Sequence, residues 1–77
     1  MARRLTLRYD KVGDILYIEK CPPYKEQDSE ELADEIAVRL NPNSGDVETV
    51  EINFFSKRMA EEPAIELPVN AVLRLPE

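Results

Sequence analysis

The sequence predicts an α+β fold dominated by β-structure: an antiparallel meander of four to five strands, made of two hairpins, with one short helix. Short runs in which apolar and polar residues alternate indicate strands with one covered face. Clusters of Gly, Pro, Asn and Asp separate these runs and favour turns. A chain of 77 residues buries only a small core, so we expect a single domain spanning residues 1–77.

The first hairpin is predicted near the N-terminus. Apolar residues occupy every second position of Leu5–Tyr9, and Ile15–Ile18 is an unbroken apolar run. An unbroken run is typical of a strand buried on both faces, so we place this second strand at the centre of the sheet. The connection Asp10–Asp14 holds one glycine and two aspartates, which favour a turn. Pro22 and Pro23 remove two backbone donors and end the second strand.

The segment Lys25–Glu35 carries six acids among its eleven residues. We interpret it as an exposed acidic loop, mobile or loosely helical. Two alternatives stay open: a short helix capped by Ser29, and a divalent-cation site. A calcium-binding loop places its acids around an invariant glycine, which this segment lacks.

The second hairpin is predicted in the middle of the chain. Ile36–Leu40 alternates cleanly, Asn41–Asp46 contains the Pro, Asn and Gly of a turn, and Val47–Phe55 alternates again. An antiparallel sheet with one solvated face requires this pattern. The residues predicted to share the apolar side of the second strand are Val50, Ile52 and Phe54.

One short helix is predicted over Ser56–Glu62. Ser56 is the expected N-cap, and the proline that follows the segment ends the helix. Met59 is the expected core contact of this helix, whereas Lys57 and Arg58 are expected to face water.

The last stretch, Ala64–Leu75, alternates once more but lies among three prolines, Pro63, Pro68 and Pro76. Because proline cannot donate to a strand ladder, we predict edge strands or extended arms here. An edge strand keeps free donors and acceptors, so it offers a route to pairing with a neighbouring chain.

The charge of the chain limits its partners. A net charge of −6, with 16 acids against 10 bases, argues against nucleic acid as a primary partner, because phosphate binding depends on Lys and Arg. An acidic surface suits a basic protein partner, although it also serves simply to keep a small domain in solution. No apolar run approaches the roughly 18–20 residues of a membrane span, so we expect no membrane association and a cytoplasmic location.

Cysteine and histidine usage limits how the small core is supplemented. A single cysteine excludes an internal disulfide, and the absence of histidine removes the commonest zinc ligand. We therefore expect no metal and no cofactor. Oligomerisation is the remaining source of additional stability for the small core, so a homo-oligomer, with a dimer favoured, is the expected state.

Few residues suggest chemistry. Asp10 and Asp14 flank one turn, so they could converge on a proton or a metal as a carboxylate pair. The structural alternative, which we adopt, is that each accepts hydrogen bonds from backbone amides of the turn. Tyr9 and Tyr17 are predicted to pack as a cross-strand pair. Cys21 has no histidine in the chain to activate it, so we expect no catalytic residue.

A contact surface is predicted from aromatic and basic residues. One member follows two prolines in a loop, and the others lie around the end of the second hairpin. Successive phenylalanines point to opposite faces of a strand, so one joins the core and the other is covered by the helix or by a second subunit. The residues of this predicted surface are Tyr24, Phe54, Phe55, Lys57, Arg58 and Met59.

The stretch YDKVGDILYI resembles the opening signature of a widespread bacterial family, domain-of-unknown-function family 2283. That signature is Tyr-Asp, three variable residues, Asp, one small or apolar residue, and Leu-Tyr-Ile. The residues that fill it here are Tyr9, Asp10, Asp14, Leu16, Tyr17 and Ile18. The similarity continues through DEIAVRL, the Asn-Pro…Gly turn and the strand after it. Glu35 departs from the pattern, since relatives often carry glycine at this position.

The resemblance implies a compact β-meander without an established catalytic activity. Some members of the family lie beside small toxin-like ribonucleases, which implies an antitoxin or immunity role. We therefore expect a non-enzymatic interaction protein that self-associates and acts as an antitoxin-like neutraliser of a basic toxin. The alternative is a divalent-metal or small-ligand binding protein that uses the acidic cluster.

Overall fold

The computed structural model describes residues 4–75, which form a five-stranded antiparallel sheet and one helix. The elements are β1 (Thr6–Asp10), β2 (Ile15–Glu19), β3 (Asp28–Ala33), β4 (Ile36–Leu40), β5 (Val47–Asn53) and α1 (Phe55–Glu61). The strand order is β1-β2-β5-β4-β3. The predicted α+β class, with its meander of hairpins and one short helix, is confirmed. The prediction for Pro76 lies outside the described residues.

Both predicted hairpins form, as β1–β2 and β4–β5, and pairing of β2 with β5 joins them. This places β5 in the centre of the sheet, so the central position predicted for Ile15–Ile18 is wrong. The second strand is apolar on both faces for another reason. Long polar side chains, and not a second layer of structure, cover its outward-facing residues. The guanidinium of Arg8 lies 4.0 Å from the ring centroid of Tyr17 on that side.

The acid-rich segment contains a strand, so the predicted loop and helix are both wrong here. β3 pairs with β4 along one side and forms an edge of the sheet. Acidic residues have weak strand propensity, but pairing with an adjacent strand outweighs that propensity. Charged side chains are also one of the ways in which edge strands avoid unwanted pairing. Only Leu32 of this strand packs against the core.

The core is one thin layer on the inner face of the sheet. Its four buried apolar residues form two cross-strand pairs, Ile36 with Ile52 and Val38 with Val50. Half-buried residues surround them, namely Leu16, Ile18, Leu32, Leu40, Val47, Phe55, Ile65 and Leu67. The cover over β4 and β5 thus comes from the start of α1 and from the chain just after it.

The end of β5 differs from the prediction. Phe54 adopts a left-handed conformation, with φ 54° and ψ 41°, and is the N-cap of α1 in place of Ser56. The reversal turns Phe54 toward solvent and directs Phe55 to the core, so the apolar alternation stops at Ile52. α1 has no fully buried residue, and Met59 is 41% exposed rather than a core contact.

The C-terminal part of the chain forms no strand among the described residues. Ile65 and Leu67 pack against the core, and residues 68–75, which we call the C-terminal arm, continue beyond it. The predicted edge strand is therefore wrong for residues 64–75. Of the two predicted alternatives, the extended arm is the one that remains. Within the described range, no helix has the length and apolar character needed to cross a membrane.

Candidate functional site

Two of the signature residues, Tyr9 and Asp14, lie where the β1–β2 turn meets the start of α1. The hydroxyl of Tyr9 donates to Oδ1 of Asp14 at 2.6 Å, and the backbone N–H of Ser56 donates to the same oxygen at 3.0 Å. The Ser56 hydroxyl donates to Oδ2 at 2.8 Å. In addition, the N–H of Phe55 donates to the Asp14 carbonyl at 3.0 Å. We call this group, Tyr9, Asp14 and Ser56, the Asp14 corner.

The electrostatics of the Asp14 corner favour an ionised carboxylate. Hydrogen bonds from the Tyr9 hydroxyl and from Ser56 lower the pKa of Asp14. The same carboxylate raises the pKa of Tyr9, because it stabilises the protonated phenol. These hydrogen bonds join the β1–β2 hairpin to the start of α1, so the corner fastens the helix to the hairpin.

Asp10 and Asp14 have separate roles. Oδ1 of Asp10 accepts the N–H groups of Val12 at 3.0 Å and Gly13 at 3.1 Å, which is the predicted turn bonding. The same prediction is wrong for Asp14, whose carboxylate bonds to Ser56, 42 residues away, instead of to its own turn. A contact at that separation leaves no local pattern in the sequence.

The predicted cross-strand pair of Tyr9 and Tyr17 is wrong. The register places Tyr9 opposite Leu16 and Tyr17 opposite Arg8, so the two rings lie on opposite faces of the hairpin. Tyr9 packs instead against Phe55, with ring centroids 5.8 Å apart and a 59° angle between the planes. That aromatic contact adds to the attachment of α1 at the Asp14 corner.

A second polar cluster holds the β2–β3 connection onto the sheet. Oε1 of Glu48 accepts the Tyr24 hydroxyl at 2.5 Å and the Gln27 side-chain amide at 3.0 Å, and Oε2 accepts the Asn41 side-chain amide at 3.4 Å. The carboxylate raises the pKa of Tyr24 to about 12, and the same hydrogen bond is the main cause of a lowered pKa for Glu48. The Tyr24 hydroxyl is thus engaged within the chain.

Glu48 was missed by the sequence reasoning, although a signal was present. It shares the strand parity of Val50 and Ile52, so the alternation predicts an acid on the apolar side. A register shift in the β4–β5 pairing, between Arg39 and Leu40, accommodates this position. Val47, and not Glu48, packs against the core, so an acid that interrupts an apolar alternation is an indication of a bulge with a polar cluster beside it.

Arg58 has a structural role that the sequence did not indicate. Its Nε donates to the carbonyl of Asn53 at 3.0 Å, and its second guanidinium nitrogen donates to the carbonyl of Asp34. These bonds connect α1 with the end of β5 and with the β3–β4 turn. The expectation that Arg58 faces water is therefore wrong.

The acidic segment brings no metal ligands together. Successive residues of β3 point to opposite faces, so Glu30 and Glu31 diverge. Among residues 4–75 no group of three or more Asp, Glu, Cys or His side chains is placed to hold a metal ion. The geometry therefore offers no support for the divalent-cation alternative.

An open groove of about 460 Å³ lies beside the outer face of the β1–β2 hairpin. Its lining includes Arg4, Arg8, Lys20 and Cys21. Arg8 is held in an ion pair, with Nε 3.1 Å from Oε1 of Glu19. Burial is the main cause of the raised pKa of the Cys21 thiol, which therefore stays protonated and weakly nucleophilic.

A different surface stands out on the opposite, inner face of β1. Leu5, Leu7 and Tyr9 lie on one side of the strand and are 47%, 63% and 43% exposed. Among residues 4–75, β1 pairs with β2 only, so its other side is an open edge there. We call these three residues with the open side of β1 the β1 apolar edge. The sequence analysis assigned Leu5, Leu7 and Tyr9 to a strand but did not identify them as a surface.

A comparison with protein families shows which family the chain is part of. The family described as "Protein of unknown function (DUF2283)" matches residues 6–56. This chain belongs to the DUF2283 family. No curated protein and no solved structure matches it.

The extent of the match agrees with the geometry of the Asp14 corner. The DUF2283 region runs from the first residue of β1 to Ser56, the last member of the corner. It therefore contains the whole sheet and all three residues of the Asp14 corner. The C-terminal arm lies outside the matched region.

The six predicted contact residues divide into two groups. Tyr24, Phe55 and Arg58 are used inside the chain, as described above. Phe54, which belongs to the DUF2283 region, and Met59, which follows it, are both exposed. The Nζ of Lys57 lies 5.7 Å from the centroid of the Phe54 ring.

Proposed function

We propose that this protein is a non-enzymatic interaction domain that self-associates. The observation that carries the proposal is the β1 apolar edge. An edge strand with unpaired backbone groups and an uncovered apolar side is a template for pairing with another chain. Leu7, the residue at its centre, is the most exposed of the three side chains.

The size of the molecular surface supports self-association. The chain exposes 6403 Å². A compact protein of its mass, 8.8 kDa, is expected to expose about 4,800 Å². The excess, roughly 1,600 Å², is larger than the ~800 Å² that each partner buries in an interface of standard size. Four apolar residues are buried in the described range 4–75, so this part of the chain has little core of its own.

The test is the oligomeric state of the full chain and of two variants, measured by analytical ultracentrifugation over a wide concentration range. We expect a dimer, and we expect Leu7→Glu to shift it to monomer because the substitution places a charge in the interface. Val12→Glu is the matched control, since Val12 is exposed but lies in the β1–β2 turn. Circular dichroism confirms that both variants are folded. A full chain that is monomeric throughout would refute the proposal.

A second proposal concerns the partner, and it rests on the opposite edge of the sheet. Asp28, Glu30 and Glu31 are exposed along β3, and the two ion pairs among residues 4–75 do not involve this strand. Unpaired acids on an open edge suit a basic polypeptide through electrostatic complementarity. We infer an antitoxin-like role in which this edge binds a basic toxin.

Charge reversal tests this second proposal. Glu30→Lys combined with Glu31→Lys is compared with the native chain in pull-downs from the host, and the retained proteins are identified by mass spectrometry. We expect a basic protein that binds the native chain, is released by salt and is lost with the double variant. Glu61→Lys combined with Glu62→Lys, at the exposed end of α1, makes the same change in net charge away from β3 and is the control. Recovery of the same proteins with the native chain and the β3 variant would exclude this edge.

A further inference from the structure

We propose that the β1 apolar edge of one copy is occupied by the C-terminal arm of a second copy, which adds to the sheet as a sixth strand. The inference rests on the proposed self-association and names the segment that carries it. Each chain then both supplies an arm and receives one. Such a reciprocal exchange closes a two-fold symmetric dimer and leaves no further β1 edge open.

The receiving edge has the chemistry for strand addition. β1 is antiparallel to β2 from Thr6 to Asp10 without a bulge. In an antiparallel strand, alternate residues direct their N–H and C=O groups away from the existing partner. These groups point sideways from the edge of the sheet, and the exposed side chains of Leu5 and Leu7 stand beside them on its inner face, so backbone pairing and apolar burial become available together.

The arm has the chemistry of an incoming strand. Seven residues, Val69–Leu75, separate Pro68 from Pro76, and none of them is a proline. At about 3.3 Å per residue they span roughly 23 Å when extended, which is longer than the five-residue β1. Val72, Leu73 and Leu75 are all largely exposed, although the arm carries a single charged side chain, Arg74.

Alternation within the arm provides one apolar side. Ala71, Leu73 and Leu75 share a strand face, whereas Val72 and Arg74 point to the other. The first face matches the spacing of Leu5, Leu7 and Tyr9, because both sets recur every second residue. Pairing of the two strands therefore covers both apolar sets in one layer that continues the inner face of the sheet.

The chain is less compact than its length predicts, and its own sheet leaves the arm uncovered. The radius of gyration is 13.1 Å. A compact chain of this length is expected to have about 11.5 Å. In the described chain the arm is not paired with its own β1, and both apolar surfaces are exposed. Exchange between copies would bury two exposed surfaces of each chain, its C-terminal arm and its β1 apolar edge.

Disulfide trapping tests which segments meet. In a Cys21→Ser background, one chain carries Leu7→Cys and a second, with a different tag, carries Leu73→Cys. The two chains are mixed, equilibrated and mildly oxidised. We expect a disulfide between the two differently tagged chains. A chain with both substitutions that instead forms an internal disulfide would show that the arm folds onto its own β1, which overturns the proposal.

Variants in the arm give an independent readout. Leu73→Glu should weaken the dimer at least tenfold, whereas Val72→Glu, on the other side of the arm, should have a smaller effect. A synthetic peptide of residues 68–77 should compete with the arm and dissociate the native dimer. If the dimer persists with Leu73→Glu and only Leu7→Cys chains link to one another, β1 pairs with β1, and the arm is excluded while self-association stands. A monomeric native chain removes both proposals.

Discussion

At the scale of the residue, Asp14 shows how one side chain joins distant parts of this fold. Its φ of 57° places it in the left-handed region, where aspartate is tolerated better than most residues. This conformation lies at the end of the turn, directly before β2. The Asp14 carboxylate accepts hydrogen bonds from Tyr9 and Ser56. The residue with the strained backbone conformation is therefore also one whose side chain is well hydrogen-bonded.

We predict that Asp14→Asn lowers the thermal stability in a pH-dependent way. The folded chain lowers the pKa of Asp14 below its ordinary value of 3.8, so the ionised form contributes stability. That contribution is fully present above pH 3.8 and is lost as the pH falls through the lower pKa of the folded state. Thermal melts of native and variant chains should therefore differ at pH 6 and converge in strong acid.

Asp46→Asn is the matched control for that prediction. Asp46 is exposed, and its carboxylate accepts no hydrogen bond from the residues that the structure describes. Its melts should follow those of the native chain at every pH. A difference between native and Asp14→Asn chains that is independent of pH would contradict the role of the charge.

Thr49 leads to a second prediction at this scale. Its side chain is 2% exposed, and its hydroxyl has no hydrogen-bond partner within the described part of the chain. Burial of an unpaired hydroxyl costs free energy, and valine has nearly the same shape without it. Thr49→Val should therefore raise the free energy of unfolding by about 1 kcal/mol in urea titrations. Thr6→Val, on an exposed strand position, should change it by less than ~0.5 kcal/mol. A destabilised Thr49→Val chain would show that the hydroxyl has a partner.

At the scale of the element, the tight β3–β4 turn holds one residue in a conformation that favours glycine. Asp34 and Glu35 connect the two strands, and Glu35 has φ 60°. Glycine adopts this conformation without strain, whereas a residue with a Cβ atom does not. The Glu35 carbonyl accepts the backbone N–H of Asn53 at 3.0 Å, so the turn is also attached to the end of β5.

We predict that Glu35→Gly stabilises the protein. Relief of the left-handed strain is worth about 1–2 kcal/mol. The added flexibility of glycine in the unfolded chain offsets roughly 0.5–1 kcal/mol of it. The expected net gain in the free energy of unfolding is about 0.5–1 kcal/mol in chemical denaturation. Asp34→Gly is the control, because Asp34 does not have positive φ and should only lose stability. Equal effects of the two substitutions would argue against strain at Glu35.

At the scale of the whole molecule, the main feature is a buried core that is small relative to the exposed surface. Two cross-strand pairs form the buried core, and helix α1 adds no fully buried side chain. The outer face is held by ion pairs, Arg8 with Glu19 and Arg39 with Glu51, which contribute little where they are exposed. A chain with this core depends on additional burial, which self-association would supply.

We therefore predict that the melting temperature rises with protein concentration. Binding that exists only in the folded state stabilises it by mass action. For a dimer of this size the increase should be roughly 3–5 °C for each tenfold rise in concentration. Differential scanning calorimetry at several concentrations measures it, and Leu7→Glu should abolish the dependence. A melting temperature that does not change with concentration would count against a stable dimer.

The local features of this protein follow from residues that are close together in the sequence. Alternation and turn residues predicted the β1–β2 and β4–β5 hairpins, the bonding of Asp10 to its turn and the apolar side formed by Ile36, Val38, Val50 and Ile52. These features depend on side-chain period and on backbone preferences of neighbouring residues, and both can be recognised in a short window of sequence.

Which distant segments contact each other depends on the three-dimensional arrangement of the chain. The strand in the acid-rich segment exists because β4 lies beside it, and β5 is central because β2 pairs with it. The bonds from Ser56 to Asp14 and from Tyr24 to Glu48 join residues far apart in the chain. The free energy of such contacts depends on the arrangement of whole strands, so no local pattern of residues specifies them.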